Sequence, residues 1–254
     1  MTHLPVDLAY EEHGTGIPLM LVHGFPLNRS IWRPLVPLLE SKFHLVMPDL
    51  RGFGQSPVTE GTYSMRLLAE DLRALLDTLN IEKVVLAGHS MGGYVSLAFA
   101  QAYPHRLAGL ALVSSQAAPD SPETRASREK SIEETKRRGL KPLATKFSAR
   151  LTCQPVLVAP LRDLILKCNP LGVIGALKGM AERPNAQEWL SSIVVPSVVI
   201  AGTEDSIIPL ERPRLMTQLL GRAFLVEVSN AAHMPMMEQP PVVANAILQL
   251  ISSF

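Results

Sequence analysis

Cysteine, aromatic residues and excess charge of either sign are all scarce in this chain of 254 residues. Cys153 and Cys168 are too few for a disulfide framework, and we expect two free buried thiols rather than one bridge. The formal net charge is only +1, so nucleic acid and anionic membranes would meet no dominant positive surface. These absences favour a small molecule as the partner, and they leave the oligomeric state open.

Long hydrophobic runs are missing as well. No apolar run approaches the roughly 20 residues that a membrane-spanning helix needs, so we expect no membrane partner. The first residues lack a positive segment followed by an apolar stretch, so no signal peptide is expected and the predicted location is the cytoplasm. No group of His, Cys and Asp residues has the spacing of metal ligands, and we expect neither a metal nor an organic cofactor.

Short apolar runs alternate with helical patterns along the chain, which is typical of an α/β fold with a mostly parallel central sheet flanked by helices. The length is sufficient for one large domain with a well-filled core. Strands are predicted at residues 6–12, 18–22, 43–47, 84–87, 107–113, 194–201 and 224–228. Helices are predicted at residues 65–79, 94–102 and 241–251.

One stretch interrupts this alternation. Residues 116–190 show only helical patterns punctuated by prolines, and a segment of that size is too long for a bare loop. We therefore predict an inserted helical lid at 116–190, with the core domain formed by 1–115 and 191–254. Within the lid, residues 125–138 mix basic side chains with glutamates, which favours the solvated face of a helix. Recognition of a substrate carboxylate by this stretch is the alternative, although no single arginine stands out by position.

A nucleophile motif follows the strand predicted at 84–87. The sequence there reads Gly88-His89-Ser90-Met91-Gly92-Gly93, and a helical pattern comes next. This is G-x-S-x-G between a strand and a helix, the context in which the motif has chemical meaning. The turn forces the serine into a strained conformation, and the glycines avoid collisions with neighbouring backbone. Ser90 is therefore the candidate nucleophile.

A serine nucleophile needs a histidine base that is held by an acid, in the chain order Ser, Asp or Glu, His. Only His105 and His233 follow the motif, and His105 falls at the far end of the helix that begins there. This leaves His233 as the candidate base. The acid should follow the preceding strand, where Asp205 is our choice and Glu204 is the alternative. A capping role in the loop is the structural interpretation for either carboxylate.

An oxyanion needs two backbone donors. One should be the N–H of Met91, the residue after the nucleophile. The other should come from the loop after the strand predicted at 18–22, where Phe25 has a free N–H and Pro26 has none to offer. We interpret His23 in the same loop as a structural residue that holds the loop by hydrogen bonds.

These residues resemble the α/β-hydrolases with a short helical lid, over nearly the whole chain. The motifs that carry the resemblance are His23-Gly24-Phe25-Pro26, Asp49-Leu50-Arg51-Gly52-Phe53-Gly54-Gln55-Ser56, the serine motif, Gly202-Thr203-Glu204-Asp205, and His233 followed by Glu238-Gln239-Pro240. The resemblance implies the fold and serine chemistry, and it implies that the turn at 49–56 is mainly structural.

The resemblance narrows the reaction only in part. Haloalkane dehalogenases and epoxide hydrolases of this fold use an Asp nucleophile, which Ser90 argues against. Hydrolases of C–C bonds usually place Trp after the catalytic His, where this chain has Met234. Enol-lactonases share the H-G-F-P-L start, and perhydrolases are similar. We expect a carboxylesterase-type serine hydrolase of a small ester or lactone, with a non-catalytic receptor of the same fold as the competing class.

An apolar pocket under the lid is expected to hold acyl or alkyl groups. Ordinary core packing is the alternative role for each apolar side chain near the site. The candidate wall residues are Leu27, Trp32, Phe147, Leu151, Leu177, Met180, Met234 and Met237.

Overall fold

Seven strands form the central sheet of the protein, for which a computed structural model describes residues 4–251. They are β1 (Tyr10–His13), β2 (Ile17–Val22), β3 (Phe43–Pro48), β4 (Val84–His89), β5 (Leu107–Val113), β6 (Ser197–Gly202) and β7 (Ala223–Val228). Their order is β1-β3-β2-β4-β5-β6-β7, with β1 antiparallel to β3 and the other pairs parallel. The predicted α/β-hydrolase fold is confirmed.

Helices cover both faces of this sheet. They are α1 (Val36–Leu39), α2 (Met65–Thr78), α3 (Met91–Ala102), α4 (Pro122–Arg138), α5 (Lys141–Leu151), α6 (Pro155–Leu166), α7 (Pro170–Ala181), α8 (Glu211–Leu219), α9 (Pro235–Glu238) and α10 (Pro240–Ile251). Short 3-10 helices occur at Arg29–Leu35, Pro104–Arg106, Ala186–Glu188 and Leu190–Ser192. Strands β4 and β6 are buried at every position, as strands covered on both faces must be.

Two predicted strands are too long. The first was expected at 6–12, but the backbone N–H of Val6 donates to the Asp71 carboxylate and that of Ala9 donates to Ser56 Oγ. These donors therefore bond to side chains, and β1 starts only at Tyr10. The strand expected at 194–201 begins at Ser197, directly after Pro196, which has no N–H to give to a neighbouring strand.

Helices α4 to α7 lie between β5 and β6. We propose that residues 116–190 form a lid. Helix α4 packs on α7, and α5 packs on α6. Within the described part of the chain, no single helix is long and apolar enough to cross a membrane. Among residues 4–251, only the pair α6 and α7, bent by 102°, reaches that length and composition together.

The two cysteines are free thiols, but they are not the buried pair that the sequence suggested. Cys153 is exposed because it lies in the surface turn between α5 and α6, and Cys168 is half-buried after α6.

Candidate active site

Ser90 lies at the tight turn between β4 and α3. Its backbone has φ 51° and ψ −113°, a conformation that side-chain-bearing residues rarely adopt. Its N–H donates to Val113 O at 2.9 Å, and its carbonyl accepts from Ser115 Oγ at 2.9 Å. These bonds to β5 and to the segment after it hold the strained turn, and they leave the serine half-buried at the carboxyl edge of the sheet.

Two glycines of the motif allow the close approach of backbone around this turn. A Cβ atom at Gly88 would collide with the carbonyl oxygen of Gly92 and with Ser96 Oγ. A Cβ atom at Gly92 would collide with the carbonyl oxygen of Val22 on the neighbouring strand. The steric reason inferred from the sequence therefore applies to both positions.

His233 and Asp205 are brought together by the loops after β7 and β6. Nδ1 of His233 lies 2.7 Å from Oδ2 of Asp205, and both side chains are almost fully buried. The other ring nitrogen, Nε2, is buried and has no hydrogen-bond partner among the described residues. The imidazole therefore carries its proton on Nδ1 toward the carboxylate, and it keeps Nε2 available as a base.

Asp205 is held in place by its own loop. Its Oδ1 accepts the backbone N–H groups of Ile207 at 2.8 Å and Ile208 at 3.0 Å. Glu204, the alternative acid, is exposed to solvent. Of the two candidates, only Asp205 has a hydrogen bond to His233 among the described contacts.

A second buried carboxylate, Glu238 on α9, holds the loop of His233, and sequence reasoning assigned it no role. Its Oε2 accepts the N–H of Ala232 at 2.8 Å and of Met234 at 3.2 Å. Its Oε1 accepts Thr152 Oγ1 at 2.7 Å and the Cys153 N–H at 2.8 Å. Glu238 thus ties the residues on either side of the histidine to the turn between α5 and α6. The Glu238-Gln239-Pro240 motif was the available signal.

His89 packs directly against the candidate base. Its Nε2 donates to the His233 carbonyl oxygen at 2.8 Å, and the two ring centres are 4.9 Å apart. Burial is the main cause that holds the pKa of His89 well below its usual value, and electrostatic repulsion between the His89 and His233 rings acts in the same direction. His89 is therefore a neutral donor that connects the residue before Ser90 to the loop of His233.

The candidate oxyanion donors lie on the two expected segments. Met91 is the first residue of α3, so its N–H has no acceptor within the helix. Phe25 lies in the loop after β2, where the Leu27 N–H turns back to Gly24 O at 3.0 Å. Phe25 lines the same cavity as Ser90.

His23 supports this loop, in agreement with its expected structural role. Nδ1 donates to Gly24 O at 2.9 Å, and Nε2 accepts the Leu50 N–H at 2.9 Å. Burial lowers the pKa of His23 despite the bond to Gly24, which keeps the ring neutral. Leu50 belongs to the turn at 49–56, in which Asp49 accepts the backbone N–H groups of Arg29 and Gln55.

A cavity of about 610 Å³ opens beside Ser90, and we call it the Ser90 cavity. Phe147, Leu177 and Met180 of the predicted wall line it. The other five predicted wall residues belong to the hydrophobic core instead: Leu27, Trp32, Leu151 and Met234 are fully buried, and Met237 packs against them. Their assignment to the pocket wall was wrong because an apolar side chain beneath the site packs equally well into the core.

The Ser90 cavity is also more polar than expected. Helix α4 was expected to be a solvated face, yet one side of it forms a wall of this cavity. The polar lining side chains on and around α4 are Asp120, Glu123, Thr124, Ser127, Arg128, Lys130, Ser131, Glu134 and Thr135. An apolar lid is therefore the wrong description for this side of the site.

Among residues 4–251, no group of three or more His, Cys, Asp or Glu side chains is placed to hold a metal ion.

The sheet, the turn at Ser90 and the loop of His233 are consistent with the family model that the sequence matches. A family model described as alpha/beta hydrolase fold covers residues 17–240, and the chain belongs to that family. Among solved structures, a thermophilic esterase from Thermogutta terrifontis with bound malate is 40% identical, with a TM-score of 0.95 and coverage of 99% of this chain and 96% of that one.

Two further relatives extend the comparison. The enol-lactonase from Burkholderia xenovorans LB400 is 25% identical, with a TM-score of 0.90 and 96% of each chain covered. The pimeloyl-[acyl-carrier protein] methyl ester esterase of Aeromonas hydrophila is 27% identical over 249 residues, which are 92% of this chain and 95% of the relative.

Proposed function

We propose that this protein is a serine hydrolase of carboxylic esters that works through Ser90, His233 and Asp205. The observation that carries the proposal is the buried pair of His233 and Asp205, joined at 2.7 Å, with Nε2 unpartnered and the imidazole packed 4.9 Å from the ring of His89, the residue before Ser90. A buried base with one nitrogen fixed by a carboxylate and the other free is what activation of a serine hydroxyl requires.

The reaction proceeds in two halves. His233 Nε2 takes the hydroxyl proton as Ser90 Oγ attacks the ester carbonyl, and it then gives the proton to the departing alcohol. Asp205 holds the imidazole and stabilises its protonated form. Water, activated by the same nitrogen, attacks the acyl-enzyme and releases the acid. The N–H groups of Phe25 and Met91 bind the oxyanion, and loss of one such donor typically costs about 10²–10³ in kcat.

Lactone hydrolysis is the second candidate, supported by the similarity to an enol-lactonase at a TM-score of 0.90. The same attack on a cyclic ester keeps the leaving alkoxide within the acyl-enzyme. The chemistry of Ser90, His233 and Asp205 is the same for both substrates. The shape of the cavity therefore decides whether a linear ester or a lactone is bound.

The test is labelling and turnover at Ser90. A fluorophosphonate probe should label the wild type, and hydrolysis of p-nitrophenyl acetate should fall by at least about 10⁴-fold in Ser90→Ala. Asp205→Asn should lose far more activity than the matched Glu204→Gln. Turnover that survives Ser90→Ala would refute the proposal, and a wild type that is labelled but turns over no ester or lactone would indicate a receptor.

A further inference from the structure

Three charged side chains meet at the wall of the Ser90 cavity, where α4 and the end of α7 approach each other. The Asp120 carboxylate accepts Nε of Arg128 and Nη1 of Arg183, and Arg128 Nη2 adds a bond at 3.2 Å. Side-chain exposure is 1% for Asp120, 4% for Arg183 and 17% for Arg128. We call these three residues the Asp120 cluster.

The Asp120 cluster carries more positive than negative charge. Burial opposes ionisation of Asp120, but the bonds and charges of Arg128 and Arg183 outweigh it and hold the pKa of Asp120 below its usual value. Both guanidiniums are always charged, so the cluster has one cation in excess at neutral pH. A mostly buried charge without a counterion is unfavourable unless something supplies the opposite charge.

The other acids on the wall do not supply it. Glu134 pairs with Arg138 at 3.4 Å and with Lys146 at 3.6 Å. Glu123 is exposed to solvent in the first turn of α4. No ion pair between either glutamate and the Asp120 cluster occurs among residues 4–251.

The two arginines of the cluster differ in what they leave free. Arg183 donates to the carbonyl oxygens of Met180 at 2.9 Å and Ala118 at 2.8 Å, and its guanidinium stacks over the Tyr94 ring at 4.2 Å. Arg128 bonds only to Asp120 among the described contacts, and it lines the Ser90 cavity. Arg183 Nε also has no partner among the described residues, but it is fully buried. Within the cluster, the remaining N–H groups of Arg128 are therefore the ones that a bound molecule can reach.

The cluster and the nucleophile face the same cavity. Ser90, Asp120 and Arg128 all line the Ser90 cavity. Tyr94, whose ring lies under the Arg183 guanidinium, also lines it, and its N–H donates to Ser90 O at 3.3 Å. A molecule bound in this cavity can therefore contact both the serine and Arg128.

We propose that the Ser90 site selects esters that also carry a carboxylate, with Arg128 binding that carboxylate and Asp120 and Arg183 holding Arg128 in place. The inference rests on the proposed function, since it names the substrate class of that same site. Arginine suits the role because its planar fork binds carboxylates through two parallel bonds.

The experiment compares two esters of matched shape, methyl hydrogen glutarate and methyl 5-methylhexanoate, which differ in a terminal carboxylate against an isopropyl group. Proton release gives kcat/KM for each, and the ratio of the two values corrects for any partial loss of folded enzyme. The wild type should prefer the glutarate ester. In Arg128→Gln the ratio should fall by roughly 10- to 100-fold, the usual effect of losing a charge-assisted bond.

Two variants test whether the effect belongs to this arginine. Arg128→Lys should keep only part of the preference, because an ammonium lacks the fork. Arg137→Gln removes the same charge from an exposed residue of α4 that does not line the cavity, and it should leave the ratio unchanged. A wild type that prefers the neutral ester, a ratio that survives in Arg128→Gln, or an equal loss in Arg137→Gln would each overturn the proposal.

A binding measurement separates this proposal from the proposed function. Glutarate should raise the melting temperature of Ser90→Ala, and the rise should shrink in the double variant Ser90→Ala with Arg128→Gln. If glutarate raises the melting temperature of a wild type that hydrolyses no ester, carboxylate binding by Arg128 (the anion site) is supported and only the esterase activity is refuted. Ester hydrolysis that depends on Ser90, without any glutarate effect on melting or rate, would refute only the anion site.

Discussion

Replacement of Glu238 by Gln is expected to damage both stability and catalysis. The carboxylate receives donors on both oxygens: Ala232 and Met234 on one, Thr152 and Cys153 on the other. An amide can accept on only one side, and its NH₂ group would face donors on the other. At least two buried donors lose their acceptor, at about 1–3 kcal/mol each, so we expect roughly 2–6 kcal/mol of destabilisation.

The catalytic effect follows from the position of those donors. Two of them flank His233, so their loss frees the backbone that fixes the position of the imidazole. A displacement of about 1 Å in a catalytic group can cost on the order of 10² in rate, and we expect kcat to fall by at least about tenfold at a temperature where the variant is folded. Urea unfolding measures the first effect, and ester hydrolysis measures the second.

Glu227→Gln is the matched control, because Glu227 forms an exposed pair with Arg214 at 2.7 Å and should change neither quantity appreciably. If Glu238→Gln unfolds at the wild-type urea concentration and keeps wild-type kcat, the role assigned to Glu238 is wrong.

Three further predictions concern buried and titratable groups. His89 is held neutral in the fold, whereas an unfolded histidine takes up a proton as the pH falls below about 6.5. The His89 contribution to the free energy of unfolding should therefore be fully present above that pH and should decline below it by up to about 1.4 kcal/mol per pH unit. Urea titrations across pH 5–7 should show a shallower decline in His89→Gln, and an identical one would contradict this. Although Cys153 is exposed as a residue, its pKa is raised to about 11 by partial desolvation of the thiol and by the bond from Sγ to Glu238 Oε1 at 3.2 Å. Iodoacetamide at pH 8 should therefore react with it on the order of 10²-fold more slowly than with free cysteine, and an equal rate would refute this. Asp71→Asn leaves Arg51 buried without its counterion, so the free energy of unfolding in urea should fall by about 3–5 kcal/mol. A fall of less than about 1 kcal/mol would refute the view that this buried ion pair stabilises the fold.

The sheet and the nucleophile turn were predictable because local chemistry dictates them. Buried parallel strands appear in the sequence as short apolar runs. The turn at Ser90 needs glycine at 88 and 92 because neighbouring backbone, including that of β2, packs directly against both positions. The chain order of base and acid then pointed to His233 and Asp205, and the structure joins these two by a hydrogen bond. Glu204 remained open from the sequence because adjacent loop carboxylates differ only in the direction they face.

The walls of the site were less predictable. Leu27 and Trp32 carry no mark that separates a pocket wall from the core, since both places bury apolar area equally well. Helix α4 is polar all round, so its pattern cannot reveal which side faces a cavity. Arg128 became distinct from its neighbours only through contact with Asp120, which lies outside the helix.

The wall formed by α4 is independent of the reacting groups, and this has an evolutionary consequence. Ser127, Ser131 and Thr135 line the cavity at intervals of four residues, along one edge of the helix. None of them touches the serine turn or the histidine loop through a described hydrogen bond. If the proposed function holds, mutations along this edge change which substrate is accepted while Ser90, His233 and Asp205 stay intact, so new substrate preferences can arise in this fold by single steps.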